Sequence, residues 1–301
     1  DFGQTWLQQF NGGLMTTCGL THVGPPEKDD VTGEWRDIHG RYSRLRAQDI
    51  WVDEIICGGW KEDENGGQVQ KYFDLALQAT IHQSALFGEQ LRLERMIRQT
   101  LTAPEIQISD TITNLGDRPI PVMLLYHTNF GFPIIQGGSR LYTPFEKVYP
   151  RDANAKVGRD NWATYEAASP EYPEQVFYHH LKAANNKTGM LLTNEAEDFG
   201  IYLKWDTRSL PYLSQWKNTR QGMYVCGIEP GNCIPEGLNA ARKNNRLTVL
   251  KPGEKLDAYW DLRVLDSADL VKTFKTSILN LQARGQSLEN CRLDDYAQFA
   301  E

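Results

Sequence analysis

Extended, β-prone runs follow one another along most of the chain and are separated by Gly, Pro, Asn and Asp. In one of them, Ile106, Ile108 and Ile112 fall on a single face at a period of two, as a half-buried strand requires. Two polar segments, Asn114–Asp117 and Lys251–Glu254, are typical of turns between antiparallel neighbours. The pattern predicts strands at Gln68–Ala79, Gln90–Leu101, Ile106–Asn114, Val122–Asn129, Gln175–Lys182, Gly189–Thr193, Gly200–Trp205, Met223–Ile228, Arg246–Leu250 and Leu256–Leu265.

Only one segment has the spacing of an amphipathic helix. Ser267 can cap its N-terminus, and the apolar positions that follow recur at helical spacing. No alternation of strands with helices is visible, which argues against a parallel doubly wound sheet. The segment Arg151–Pro173 is polar and is predicted to form a long loop over one sheet edge. We therefore expect an all-β fold of antiparallel sheets with one C-terminal helix, whose apolar positions are Leu270, Val271, Phe274, Ile278 and Leu281.

Length sets a bound on the number of domains. The 301 residues would suit two average domains, but all-β sandwiches often use this length for one. Since no repeat and no low-complexity linker divides the chain, we expect a single domain over residues 1–301. The chain opens at Asp1 without a methionine, which is consistent with a missing N-terminal piece of the natural protein.

The overall charge and the cysteines argue against several classes of protein. A formal net charge of −7 disfavours nonspecific binding to nucleic acid or to anionic membranes. No stretch approaches the roughly 20 apolar residues of a membrane span, and no charged leader precedes an apolar run. Five scattered cysteines without a CxxC pair predict a cytoplasmic protein with free thiols, and one disulfide is left open as the alternative.

His127 and Glu229 are the strongest candidates for chemistry, because each ends an apolar run. His127 follows Val122–Tyr126 and precedes polar residues, whereas Glu229 follows Val225–Ile228 and precedes a proline-glycine turn. A histidine can give and take a proton near neutral pH. A carboxylate in an apolar setting must be paired, or its pKa must rise, as suits a general base. A satisfied core histidine and a surface-turn glutamate are the alternatives.

Two further clusters place polar side chains beside a glycine or an aromatic ring. His39 and Arg41 flank Gly40, which lets the backbone approach a ligand, and an arginine commonly binds oxygen atoms. Trp216 and Lys217 together offer an aromatic platform and a cation. A solvated loop charge and a tryptophan buried in the core are the alternatives for these two clusters.

Motifs for several other chemistries are missing from the sequence. There is no P-loop, no GxGxxG after a strand, no GxSxG and no HExxH. His179 and His180 are adjacent, and adjacent side chains in a strand point to opposite faces, so they make a poor chelate. We therefore expect no metal site, although one built from His22, His39 or His127 is left open without any spacing in its favour.

The clusters together carry a family resemblance. The chain resembles the galactose mutarotase (aldose 1-epimerase) superfamily, and more closely an aldose 1-epimerase-like branch catalogued as a domain of unknown function. The resemblance runs from about Thr5 to Leu265. The motifs that carry it are Trp6–Leu14, Thr17–Leu20, His39–Arg41, Tyr126–Gly131, Trp216-Lys217 and Ile228–Gly231.

The resemblance implies a β-supersandwich with a sugar bound in a cleft across one sheet. His127 matches the family's general acid, which protonates the ring oxygen as the ring opens. Glu229 matches the general base, which removes the proton from the anomeric hydroxyl. His39 matches the histidine that binds the substrate near the ring oxygen.

Further residues are expected to bind the substrate. Glu174 falls where related sugar-phosphate epimerases have an aspartate before a valine-tyrosine pair. Lys217 stands where many relatives have a neutral residue, which suggests an acidic substrate such as a uronate or a phosphorylated sugar. Arg41, Asn129 and Trp216 complete the expected binding residues.

These expectations define a function and its alternatives. The first is a cytoplasmic carbohydrate epimerase that interconverts the α and β anomers of an aldose or of an acidic or modified sugar by acid–base catalysis, with no cofactor and no nucleic-acid or membrane partner. A noncatalytic sugar-binding or sensing protein is the second, although binding alone does not need an opposed acid and base. A different sugar isomerisation on the same architecture is the third. The sequence does not determine the oligomeric state.

Overall fold

A computed structural model describes residues 13–56, 60–62, 68–70, 73–100 and 103–299. Within these ranges the chain forms strands β1–β20 and helices α1–α3, numbered here along the sequence. Most strands belong to two eight-stranded antiparallel sheets, so the predicted all-β fold of antiparallel sheets is confirmed. The expected motif residues Trp6–Gly12 lie outside the described residues, as does Cys57.

The first sheet has the strand order β1-β10-β17-β16-β13-β12, with β18 pairing β10 and β20 pairing β13 at its margins. Every pair in it is antiparallel. Its strands are β1 (Met15–Leu20), β10 (Ile120–Gly131), β12 (Phe145–Pro150), β13 (Gln175–Ala183), β16 (Tyr212–Asn218), β17 (Val225–Gly231), β18 (Thr248–Leu250) and β20 (Gln286–Ser287).

The second sheet has the order β11-β14-β15-β19-β9-β8-β7-β4. Its strands are β4 (Gln48–Ile56), β7 (Phe73–Ser84), β8 (Gln90–Thr100), β9 (Glu105–Asn114), β11 (Arg140–Tyr142), β14 (Lys187–Thr193), β15 (Gly200–Asp206) and β19 (Lys255–Leu265). Two small hairpins complete the strands: β2 (Glu27–Lys28) with β3 (Trp35–Arg36), and β5 (Trp60–Glu62) with β6 (Gln68–Gln70).

Strand β10 divides its side chains between two faces of the first sheet. Tyr126 faces the second sheet, where its ring packs on Trp260 and its hydroxyl donates to Asp110 at 2.6 Å. Leu125 points the other way, into a separate apolar cluster that includes Cys18. Because side chains alternate along a strand, His127 lies on the same face as Leu125, away from the core between the sheets.

The predicted C-terminal helix is confirmed as α3 (Ala268–Arg284), and the Ser267 side chain accepts a hydrogen bond from the Leu270 amide. Two short helices were not predicted: α1 (Ala153–Val157) and α2 (Leu238–Lys243). Helix α1 lies in the segment expected to be a loop, and it begins there because Asp152 accepts a hydrogen bond from the Ala155 amide at 2.9 Å. Among the described residues, no helix is both long and apolar enough to cross a membrane.

Candidate active site

The imidazole of His127 and the carboxylate of Glu229 are in direct contact on the first sheet. His127 Nε2 lies 3.1 Å from Glu229 Oε1, and both residues are buried. His127 Nδ1 is also buried, and it has no hydrogen-bond partner within the described part of the chain. The two residues that the sequence singled out therefore lie in one place and in direct contact.

The pairing of β10 with β17 brings these two side chains together. The register aligns Thr128 with Ile228 and Asn129 with Gly227, so His127 and Glu229 stand on neighbouring strands at the same level. Ile228 packs in the core between the sheets, which directs Glu229 to the opposite face. The apolar residues that flank each polar side chain thus fix the face on which the pair lies.

Burial controls the charge of Glu229. Desolvation raises its pKa above the ordinary value, and the neighbouring His127 opposes the rise. Arg151 also lowers the pKa of Glu229, whereas Glu174 raises it. Both side chains therefore act on the pair electrostatically. A carboxyl group with a raised pKa beside an imidazole can exchange protons close to neutral pH.

His39 approaches the pair from the segment between β3 and β4. Its backbone is tied on both sides, because its carbonyl accepts from the Gly19 amide at 3.1 Å and its amide donates to the Gly24 carbonyl at 2.9 Å. The His39 ring lies edge-on to the His127 ring, with centroids 6.4 Å apart. Desolvation, together with the neighbouring His127 and His22, lowers the pKa of His39 to about 3. His39 is therefore neutral at physiological pH and is suited to hydrogen bonding rather than to acid catalysis.

Trp216 forms the opposite side of the site. Its ring lies 5.7 Å from the His127 ring, centroid to centroid. The indole Nε1 donates to Glu174 Oε2 at 2.9 Å, and Arg151 Nη2 donates to Glu174 Oε1 at 3.3 Å. Glu174 is half exposed and Arg151 is partly exposed, so these two charged groups can be reached by a bound molecule. Arg151 was not predicted from the sequence as a site residue.

Lys217 does not belong to this cluster, which corrects the expectation that it binds substrate. It follows Trp216 in β16 and therefore points to the opposite face. Its side chain is fully buried, and Nζ donates to the carbonyls of Asn161 and Thr164 at 3.0 and 2.5 Å. The Glu166 carboxylate accepts a third hydrogen bond from Nζ at 2.8 Å. The suggestion of an acidic substrate, which rested on Lys217, loses its basis.

Asn129 and Arg41 differ in how they relate to the pair. Asn129 lies two residues after His127 on the same face of β10, and its side-chain amide donates to the carbonyls of Gly13 and His127, both at 3.2 Å. Arg41 points to the second sheet, where Nη1 lies 3.7 Å from Glu89 and Nη2 donates to the Ser84 carbonyl at 3.5 Å. Its observed contacts are thus to Ser84 and Glu89 rather than to His127 or Glu229.

In the ranges that the structure describes, no group of three or more His, Cys, Asp or Glu side chains is arranged to hold a metal ion. The chemistry that this site offers from its own side chains is proton transfer between an imidazole and a carboxyl group, beside an aromatic surface.

The chain is similar to known proteins over most of its length. The model of a family described as a domain of unknown function (DUF4432) matches residues 1–264. A proposed aldose 1-epimerase from Klebsiella pneumoniae has a similar structure, with a TM-score of 0.83 and 27% sequence identity over 93% of this chain and 70% of its own. No curated protein matches the chain.

More distant structures share the fold. A galactose mutarotase-like protein from Clostridium acetobutylicum has a TM-score of 0.54 and 14% identity, over 84% of this chain and 79% of its own. Another from Lactobacillus casei has a TM-score of 0.51 and 16% identity, over 83% and 84% of the two chains. At these identities the likeness concerns the fold alone, which is that of galactose mutarotase-like proteins.

Proposed function

The chain belongs to the DUF4432 family, and from this premise we propose that it is a cofactor-independent carbohydrate epimerase that interconverts the α and β anomers of a sugar. The observation that carries the proposal is the buried contact of 3.1 Å between His127 and Glu229. Likeness to a proposed aldose 1-epimerase over 93% of the chain supports it. A purely sugar-binding site needs hydrogen bonds and an aromatic surface but has no need of an acid beside a base.

In the proposed reaction, Glu229 removes the proton from the anomeric hydroxyl while His127 donates a proton to the ring oxygen. The bond between the anomeric carbon and the ring oxygen breaks, and an open-chain aldehyde forms. After rotation of the aldehyde the two residues exchange roles, and the ring closes as the other anomer. Positioned acid–base catalysis of this kind contributes roughly 10²–10⁴ in rate for each group.

The remaining site residues have binding roles in this proposal. Trp216 provides a flat apolar surface for one face of the sugar, and Glu174 accepts hydrogen bonds from sugar hydroxyls. Arg151, which donates to Glu174, orients that carboxylate and can donate to a sugar oxygen. His39 is neutral because its pKa is lowered to about 3, and it donates or accepts a hydrogen bond near the ring oxygen. Asn129 lies at the border of the site, on the same face of β10 as His127.

The substrate in this proposal is an aldose or a modified aldose. The charges of Arg151 and Glu174 both act on Glu229, and they already compensate each other. A neutral sugar therefore fits these surroundings without leaving an unpaired charge. A cytoplasmic location is also part of the proposal, and it is supported by the four described cysteines, which are all buried and free.

The experiment is a measurement of anomer exchange by saturation-transfer NMR across a panel of aldoses, uronates and sugar phosphates. Wild type is compared with His127→Gln and Glu229→Gln. The control is His180→Gln, since His180 binds the Leu288 carbonyl at 3.0 Å rather than any site residue. We expect exchange by wild type and by the control, and a loss of at least about 100-fold in the two site variants.

Two outcomes would contradict the proposal. Exchange that survives both site substitutions would show that the reaction does not use this pair. Saturable binding of a sugar by wild type without any exchange would favour the sugar-binding or sensing protein instead. Both outcomes are measured on the same samples, because the NMR experiment reports ligand binding as well as exchange.

A further inference from the structure

Ser214 lies in the same cross-strand row as the reactive pair. In the register of β16 with β17 it stands directly opposite Glu229, and on its other side it stands directly opposite Tyr178 of β13. Its side chain shares a face of β16 with Trp216, which lies two residues further on. Because the Trp216 ring contacts His127, this is the face that carries the site.

The hydroxyl of Ser214 is buried on this face. The residue has 0% exposure, and Oγ has no hydrogen-bond partner among the residues described. A buried hydroxyl without a partner destabilises the folded state, so most buried hydroxyls in proteins are paired. An unpaired hydroxyl beside a reactive carboxyl group therefore points to a partner that becomes available when a ligand binds.

Glu229 needs a new hydrogen-bond donor when a ligand binds. In the structure, Glu229 Oε1 is 3.1 Å from His127 Nε2. A sugar whose anomeric hydroxyl reaches Glu229 and whose ring oxygen reaches His127 must replace this direct contact. A buried carboxylate that loses its partner favours the protonated form, which cannot act as a base.

The distance across the row suits a new hydrogen bond. Side chains directly opposite each other on antiparallel strands have Cβ atoms about 4.5–5.5 Å apart. A short hydroxyl on one strand and a flexible carboxylate on the next can meet across that gap by rotation about side-chain bonds. Ser214 keeps its own proton in this interaction, so the proton balance of the reaction is unchanged.

We propose that Ser214 is a positioning residue, whose hydroxyl donates a hydrogen bond to the Glu229 carboxylate once a sugar separates Glu229 from His127. This inference rests on the proposed function. Its consequence is that Glu229 stays charged, and so able to accept a proton, in the complex with substrate.

The test compares pH profiles of anomer exchange for wild type, Ser214→Ala and Ser214→Cys. The pH dependence of kcat reports groups in the substrate complex, and that of kcat/KM reports groups in the free enzyme. A hydrogen bond to a carboxylate lowers its pKa, so its loss in Ser214→Ala moves the acid limb of kcat up by about one pH unit. The acid limb of kcat/KM stays in place. Ser214→Cys keeps a weak hydrogen-bond donor of similar size, so it moves the acid limb of kcat less than Ser214→Ala does.

Thr193→Val serves as the matched control. Thr193 is also fully buried, and its hydroxyl likewise has no hydrogen-bond partner among the described residues, but it lies in β14 of the second sheet. Its substitution should leave both pH profiles unchanged. Both Ser214→Ala and Thr193→Val should have melting temperatures at or above that of wild type, because each removes an unpaired buried hydroxyl.

The outcomes separate this inference from the proposed function. If wild type exchanges anomers and the acid limb of kcat is the same in Ser214→Ala, the role of Ser214 is overturned while the epimerase proposal stands. If wild type exchanges no sugar, both are overturned. If Ser214→Ala melts well below Thr193→Val, the hydroxyl has a structural partner in the free protein, and the inference also fails.

Discussion

Gly227 lies so close to Glu229 that a Cβ atom at position 227 would come within 2.5 Å of Glu229 Oε1. The same atom would lie 2.8 Å from His127 Cε1. The carboxylate and the imidazole therefore occupy space that the side chain of any other amino acid would need. Gly227 stands between Asn129 on β10 and Trp216 on β16 in the strand register, so its missing side chain leaves room in the middle of the site.

Gly227→Ala should abolish most of the proposed exchange without unfolding the protein. The added methyl group displaces both reactive side chains, and a displacement of about 1 Å can reduce the rate by about 100-fold. Exchange by saturation-transfer NMR and the melting temperature are the measurements. Gly131→Ala is the control, because the nearest atom to its Cβ is the Tyr224 carbonyl oxygen at 3.4 Å. Retention of more than half of the wild-type rate in Gly227→Ala would contradict the geometry.

Glu229→Gln should stabilise the protein increasingly as the pH rises. Burial raises the pKa of Glu229 above its ordinary value of 4.5, so the native state binds this proton more tightly than the unfolded chain does. Wild-type stability therefore falls as the pH rises from 4.5 through the raised value, by about 1.4 kcal/mol for each pH unit of that interval. The glutamine side chain does not titrate, so the variant lacks this loss of stability.

The measurement is urea unfolding of wild type and Glu229→Gln at a series of pH values. The difference in the free energy of unfolding should grow in favour of the variant above pH 4.5 and become constant above the raised pKa. The difference at pH 4.5 is the internal reference. A difference that does not change with pH would show that Glu229 is not desolvated in the native state.

Strands with one buried face could be predicted from the sequence. Ile106–Asn114 was predicted and corresponds to β9, because its isoleucines alternate with polar residues on a half-buried surface. Strand β16 was missed, since Leu213, Ser214 and Gln215 are all buried and no alternation is visible. A strand that buries polar side chains on both faces has no period of two in hydrophobicity. The single domain over 1–301 stays a prediction.

The site was predictable where a polar side chain ends an apolar run. His127 and Glu229 have that signal, but Arg151 does not, because its position beside Glu174 depends on the pairing of β12 with β13. The prediction that Lys217 lies with Trp216 in the site failed for a different reason. It is adjacent to Trp216, and the alternation that separates the side chains of His179 and His180 also puts Lys217 on the other face.

Trp216→Phe should weaken sugar binding more than it slows the chemistry. The substitution keeps an aromatic ring but removes the indole N–H that holds Glu174 at 2.9 Å. A freed Glu174 side chain orients sugar hydroxyls less well, and the loss of one such hydrogen bond corresponds to a rise in KM of about threefold to tenfold. Initial exchange rates over a range of sugar concentrations separate KM from kcat.

Trp35→Phe is the matched control for this substitution, because Trp35 is 70% exposed and lies in the small hairpin of β2 and β3. It should leave both KM and kcat at wild-type values. A Trp216→Phe variant with an unchanged KM and a lower kcat would show that the indole N–H acts in the transition state rather than in substrate binding.

Lys217→Met should destabilise the fold and affect neutral and acidic sugars equally. The lysine is fully buried, and its ammonium group holds the segment 161–166 through Asn161, Thr164 and Glu166. Methionine fills the space but leaves those acceptors unpaired, which costs about 2–4 kcal/mol of unfolding free energy. Urea unfolding measures this loss, and the exchange rates of a neutral aldose and its uronate test selectivity. If Lys217→Met reduced the rate for the uronate alone, the ammonium group would have to reach the substrate, and its assignment to the opposite face of β16 would be wrong.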